Sequence, residues 1–160
     1  MKMKKIISLL FIICTILVVA GCGSSKSKFE GTWYGVKNFN LYKVEITKND
    51  KNEHLIKTYT SKFDTIEKDY ENKIKTEKWT GYKLLQQDIA TVHDENTLTI
   101  NHEIMQEVIS LNKNNELEGV LIGINLINDK HTTEKEMLEK AKEGMINFNN
   151  KFKYQTRFAE

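Results

Sequence analysis

Clusters of turn-forming residues punctuate this chain at short spacing: Lys37-Asn38, Asn49-Asp50-Lys51-Asn52, Thr80-Gly81, Asp94-Glu95-Asn96, Asn112 to Asn115, and Asn128-Asp129. The runs between them have β character. Tyr42, Val44 and Ile46 alternate with Lys43, Glu45 and Thr47, the period of a half-buried strand. Leu55, Tyr59 and Phe63 share one face of an extended 54–63 segment, and Leu98 and Ile100 alternate among threonines. Val108 to Leu111 and Leu117 to Ile124 flank the Asn-rich turn as a hairpin. The second of these is the most continuously apolar stretch after the N-terminus, the composition of a central strand.

Two segments read differently. Ile66, Tyr70 and Ile74 stand four apart, which suits a helix, but Asp69 to Asn72 also suits a turn between two strands. Strands are the preferred reading, because Thr76 to Tyr82 beyond it is β-rich. Near the C-terminus, Thr133 and Glu136 form a capping box. Met137, Leu138, Ala141, Met145 and Phe148 then recur at helical steps, predicting an amphipathic helix over about 133–150 that packs on the sheet. Phe152 to Phe158 can return as a last strand. The fold class expected is mainly β: an antiparallel meander or small closed barrel with one C-terminal helix.

The first twenty-one residues do not belong to that fold. Lys2, Lys4 and Lys5 precede a nearly unbroken apolar run from Ile6 to Ala20, the layout of a secretory signal. As a helix those fifteen residues reach about 22 Å, short of the ~30 Å hydrocarbon core of a bilayer. Gly23 to Lys28 contains no apolar residue and reads as a tether of about 13 Å. Residues 29–160 are then expected to form one β-rich domain. Removing residues 1–21 takes three of the 24 basic residues and none of the 22 acidic ones, so the remainder carries 21 against 22. That balance gives no electrostatic case for a nucleic-acid partner. The lack of proline and the wealth of Lys, Asn and Ile point to an AT-rich genome, hence to a low-GC Gram-positive source.

Val19-Ala20-Gly21-Cys22 resembles the lipobox of bacterial lipoproteins. The resemblance implies cleavage between Gly21 and Cys22 and diacylglyceryl attachment to the Cys22 sulfur, with a palmitate-type acyl chain often added to the new amine. It places the chain at the extracytoplasmic face of the cell membrane, with the bilayer as its first partner. Cys14 leaves with the signal, so no disulfide remains to staple the domain.

Phe29-Glu30-Gly31-Thr32-Trp33-Tyr34-Gly35 resembles the opening of lipocalins and related calycins. In that family the tryptophan plugs the closed end of the barrel, which makes Gly31 and Trp33 structural. Two departures matter. The late Thr-Asp-Tyr-type turn is not visible, and the arginine that caps the tryptophan is missing, with only Lys130 near and Arg157 beyond the helix. If a barrel forms, its open mouth is the natural ligand site. Tyr42, Tyr59, Phe63 and Trp79 are candidates for its lining, with ordinary core filling as the alternative for each.

Reaction chemistry is not nominated. His102-Glu103-Ile104-Met105-Gln106 has glutamine where the second zinc ligand of His-Glu-x-x-His must stand. His54, His93, His102 and His131 are scattered, and a metal site needs three or four converging ligands. If residues 94–97 turn a hairpin, His102 faces Asp88, while His93 sits beside Asp94; such loose pairs arise by chance. Asp94 and Glu95 read as turn residues. No cofactor motif occurs. Two functions are expected: binding of a small apolar or amphipathic ligand in the barrel, or a surface interaction protein, such as an immunity or exclusion lipoprotein, that intercepts a peptide or protein.

Overall fold

The computed structural model describes residues 27–49, 51, 53–101, 105–121 and 123–160. Cys22, Gly21 and the whole expected signal lie outside the described residues. In chain order the elements are β1 (Gly31–Lys37), β2 (Asn40–Lys48), β3 (Glu53–Ser61), β4 (Phe63–Asp69), β5 (Ile74–Trp79) and β6 (Lys83–Asp94). There follow β7 (Thr97–Asn101), β8 (Gln106–Leu111), β9 (Leu117–Glu118), β10 (Ile127–Asn128), α1 (Glu134–Lys151) and β11 (Gln155–Ala159).

The alternation seen in the sequence builds a nearly closed antiparallel barrel of eight strands. Their order is β10-β1-β2-β3-β6-β7-β8-β9. The ends of this sheet meet at a bridge between Leu117 and Leu126, which exchange backbone hydrogen bonds of 2.8 and 2.9 Å. Register sets which side chains face in. Trp33 lies opposite Val44, and Ile46 opposite Ile56. Leu98 lies opposite Ile109. These residues, with Phe29, Ala90, Ile100, Leu117, Ile124 and Leu126, form one continuous buried cluster that fills the interior. The Trp33 indole donates to the Phe29 carbonyl at 2.8 Å, fixing the segment just before β1.

Glycine decides the shape of the seam. A Cβ on Gly35 would lie 2.7 Å from side-chain carbons of Ile124 and Leu126, so only glycine lets this loop press against β1. Among the described residues of the run 117–124, expected as a central strand, only Leu117 and Glu118 form a strand. Gly119 and Gly123 adopt φ of 92° and 69°, which turns the chain out of the strand direction. Apolar composition there reflects core filling by a loop rather than a buried strand.

The second departure concerns β4 and β5. They are strands, as preferred, joined by a turn in which the Asp69 side chain accepts from the Asn72 backbone. They do not stay in the barrel. The β3–β6 hairpin continues into β4–β5, but it bends at Lys62 and at Thr80–Gly81, where Gly81 takes φ 72°. The Thr80 amide and hydroxyl both donate to the Lys62 carbonyl there. The extended arm forms its own sheet, β11-β5-β4, with β11 parallel to β5.

α1 is wedged between the two sheets. Its capping box is formed: the Glu136 amide donates to Thr133 Oγ1, and the Thr133 amide to Glu136 Oε2. Met137 packs with Tyr34 and Leu41 on the outside of the barrel, while Ala141 and Met145 pack with Phe63 of the arm. Phe148, expected on the packed stripe, is 39% exposed.

Candidate interaction surface

Among the described residues, the barrel interior where a ligand site is expected is occupied by the side chains named above. The expected lining residues are placed apart. Tyr42 packs, half-buried, against the interior cluster. Tyr59 faces outward from β3, opposite Lys43. Phe63 and Trp79 pair across β4 and β5 with rings 5.2 Å apart, beneath α1. Gly31 and Trp33 stand at the start of β1, where the buried Trp33 is hydrogen-bonded to Phe29. Lys130 borders the same 200 Å³ hollow as Trp33.

The outer face of β1-β2-β3-β6 has the features of a recognition surface. Antiparallel register lines up Lys43, Tyr59 and Leu84 in one row across β2, β3 and β6, continued on β1 by Tyr34, which Met137 of α1 covers. Thr32, Glu45, Lys57 and Gln87 form the next row, and Thr47, Leu55 and Ile89 another. Leu84, Leu85 and Ile89 are each more than half exposed. Alongside, Glu30, Thr32, Glu45, Thr47, Lys48 and Asp129 border an open groove of about 760 Å³.

The charges at the centre of this face are internally compensated. Lys43 Nζ lies 2.8 Å from Glu45 Oε1 and stands over the rings of Tyr59 and Tyr82, 4.6 and 4.8 Å from their centroids. The Tyr59 hydroxyl donates to Glu45 Oε2 at 3.1 Å. Burial is the strongest single influence on the Lys43 ammonium and acts to lower it, but the hydrogen bond and charge of Glu45, with Tyr59 and Tyr34, together hold it above its ordinary value. The same bond, helped by Tyr59, holds the Glu45 carboxyl low. Burial raises Tyr59 and Tyr82, aided by Glu45 and Glu134 respectively. The Tyr82 hydroxyl lies buried near Glu134 without a hydrogen bond of good geometry. A lysine and glutamate that satisfy each other between aromatic rings are poor proton donors and good fixed contacts.

The alternation of 42, 44 and 46 with 43, 45 and 47 already places Lys43 and Glu45 outward. The row they join was not readable, because it depends on β3 pairing with β6 across the arm. Elsewhere, Asp94 accepts from the Asn96 backbone at 2.8 Å and shapes the β6–β7 turn. His102 lies outside the described residues. Among the described residues no three His, Cys, Asp or Glu side chains converge as metal ligands, and no helix is long and apolar enough to cross a membrane. No protein-family model, curated protein or solved structure matches the chain.

Proposed function

We propose that this chain is a lipid-anchored surface protein that recognises a peptide or protein partner on the outer face of its barrel. The observation that supports this most is the filled interior: Val44, Ile56, Leu98, Ile109 and Leu117 are fully buried where a carrier needs space. Exposed Leu84, Leu85 and Ile89 beside fixed Tyr59 and Lys43 supply what a small-molecule site does not need: apolar area with polar anchors on an open sheet. Anchorage is assigned to Cys22, cleaved from Gly21 and acylated at the extracytoplasmic face. An immunity or exclusion protein that intercepts an agent at the membrane fits such a module.

Two measurements test the reading. A photo-crosslinking residue at position 89 is expected to capture one discrete peptide or protein on intact cells, while the same probe at position 78 on the arm does not. In native mass spectrometry with lipid extract, the unlipidated mature chain is expected to carry no ligand. A stoichiometric bound lipid would overturn the proposal in favour of a carrier.

A further inference from the structure

The far end of the molecule carries a second exposed surface, unrelated to the outer barrel face. The rings of Phe39, Phe148 and Phe152 touch in sequence, with centroids 5.1 and 5.2 Å apart. Phe152, just past the end of α1, is 58% exposed. From Phe148 the surface continues as alternating lysines and aromatics. Lys75 Nζ lies 5.9 Å from the Phe148 ring and 5.1 Å from Tyr154. Lys68 Nζ lies 4.9 Å from Tyr154 and 4.4 Å from Tyr70, which is 70% exposed. Lys73 and Lys153 stand in the two flanking turns, both at positive φ. Acidic groups at this end are Glu67, Asp69 and Glu71, and the Asp69 carboxylate is occupied by the amide groups of Asn72.

We propose that this ribbon docks on an anionic phospholipid surface. Exposed phenylalanine is costly in water and gains by partial insertion below the headgroups. Tyrosine and lysine around it suit the interface itself, where rings sit at headgroup depth and ammonium groups meet phosphate. Charge complementarity selects anionic over zwitterionic lipid, since the exposed cations Lys68, Lys73, Lys153 and Arg157 outnumber the carboxylates of Glu67, Asp69 and Glu71, while Lys75 is held by Asn149 beside the buried Glu77. The tether supports the same occupant. On the Cys22 reading, a flexible segment of the length of residues 23–28 would hold the domain within about 13 Å of the bilayer, and Phe29, which follows it, lies beside the start of β1. The ribbon lies beyond the β1–β2 turn at the other end, some 20 Å along β1 by strand rise. Contact at both ends lays the barrel on its side. The placement of the membrane rests on the Cys22 reading; the chemistry of the ribbon does not.

The test uses the mature chain with Cys22→Ser, which removes the acyl anchor, and sedimentation with vesicles of phosphatidylcholine alone or with a third phosphatidylglycerol. Binding is expected only to the anionic vesicles, weakened by high salt. Phe152→Ser is expected to reduce it about fivefold or more, given the apolar area withdrawn from the interface. Lys68→Glu with Lys153→Glu, both on the surface and away from the cores, should abolish it while the circular dichroism spectrum is unchanged. Equal binding to both vesicles, no binding to either, or insensitivity to Phe152→Ser would overturn the proposal. So would equally tight binding to soluble polyglycerol phosphate, which would make the surface a general polyanion site. Palmitate labelling of the unaltered chain, lost in Cys22→Ser, reports on the anchor separately.

Discussion

The barrel and the arm are neighbouring sheets in one chain, yet they are held together by opposite means. The nearly closed barrel is packed around aliphatic side chains and Trp33, and the buried ring nitrogens of His54 have no hydrogen-bond partner among the described residues. The arm buries charge and satisfies it. Glu77 is 1% exposed, and its carboxylate accepts from Thr65 and from Asn149 of α1. The Asn149 amide nitrogen also donates to Thr156 of β11, and its oxygen accepts from Lys75. One asparagine thus ties α1, β5 and β11 together, and Glu77 carries the network on to Thr65 of β4. A hydrophobic interior tolerates many arrangements of similar volume, whereas a buried polar network fixes one. The arm, with a parallel strand and a helix to seat, has the greater need of a unique register.

The largest effect should come from breaking the barrel. Trp33→Ala removes its biggest interior side chain and leaves the Phe29 carbonyl without a donor, a loss of about 3–5 kcal/mol. Urea unfolding is expected to show the whole domain destabilised, arm included, because α1 rests on β1. A loss confined to the arm would contradict that dependence. Asn149→Leu should do the reverse. It takes from the buried Glu77 carboxylate one of its two donors and from the Lys75 ammonium its amide acceptor, at a cost of about 2–3 kcal/mol. Hydrogen exchange is expected to accelerate in β4, β5 and β11 while β1, β2 and β3 keep their protection.

The smallest effect is set by pH and belongs to the barrel alone. Burial lowers the His54 imidazole below its ordinary 6.5, and the nearby charges of Glu30 and Lys48 oppose each other. The unfolded chain therefore takes up this proton first as pH falls. The stability associated with His54 is complete above pH 6.5 and declines below it, by at most about 1.4 kcal/mol per pH unit. His54→Leu should flatten the urea midpoint between pH 7 and 5 relative to the parent chain; parallel profiles for the two proteins would remove His54 from the account.

The same contrast explains what the sequence disclosed. Alternation over 42–47 and at 98–100, the Asn112 turn and the Thr133 cap are local signals, and each appears where its residues stand. The arm was hidden because its causes are distant. Thr80-Gly81 reads as an ordinary turn, and nothing at Lys62 announces that two paired strands bend there together. Glu77 sits in a polar run and becomes a core residue only because Asn149, 72 positions later, reaches it. The candidate lining failed to assemble for a related reason. Tyr59 and Phe63 share strand parity, but the bend between them sends one to the outer barrel face and the other beneath α1. The outer row needed the β3–β6 pairing before Leu84 could be placed beside Tyr59.

The barrel closes through two joints of very different reach. Leu117 and Leu126 are nine residues apart, whereas Trp33 and its partner Asn128 are 95 apart. The entropy of closing a loop grows with the logarithm of its length, so the distant joint costs about 2 kcal/mol more than the near one. The folding clock of this protein should run on the meeting of β1 with β10, after the meander and its Leu117–Leu126 clasp have already assembled.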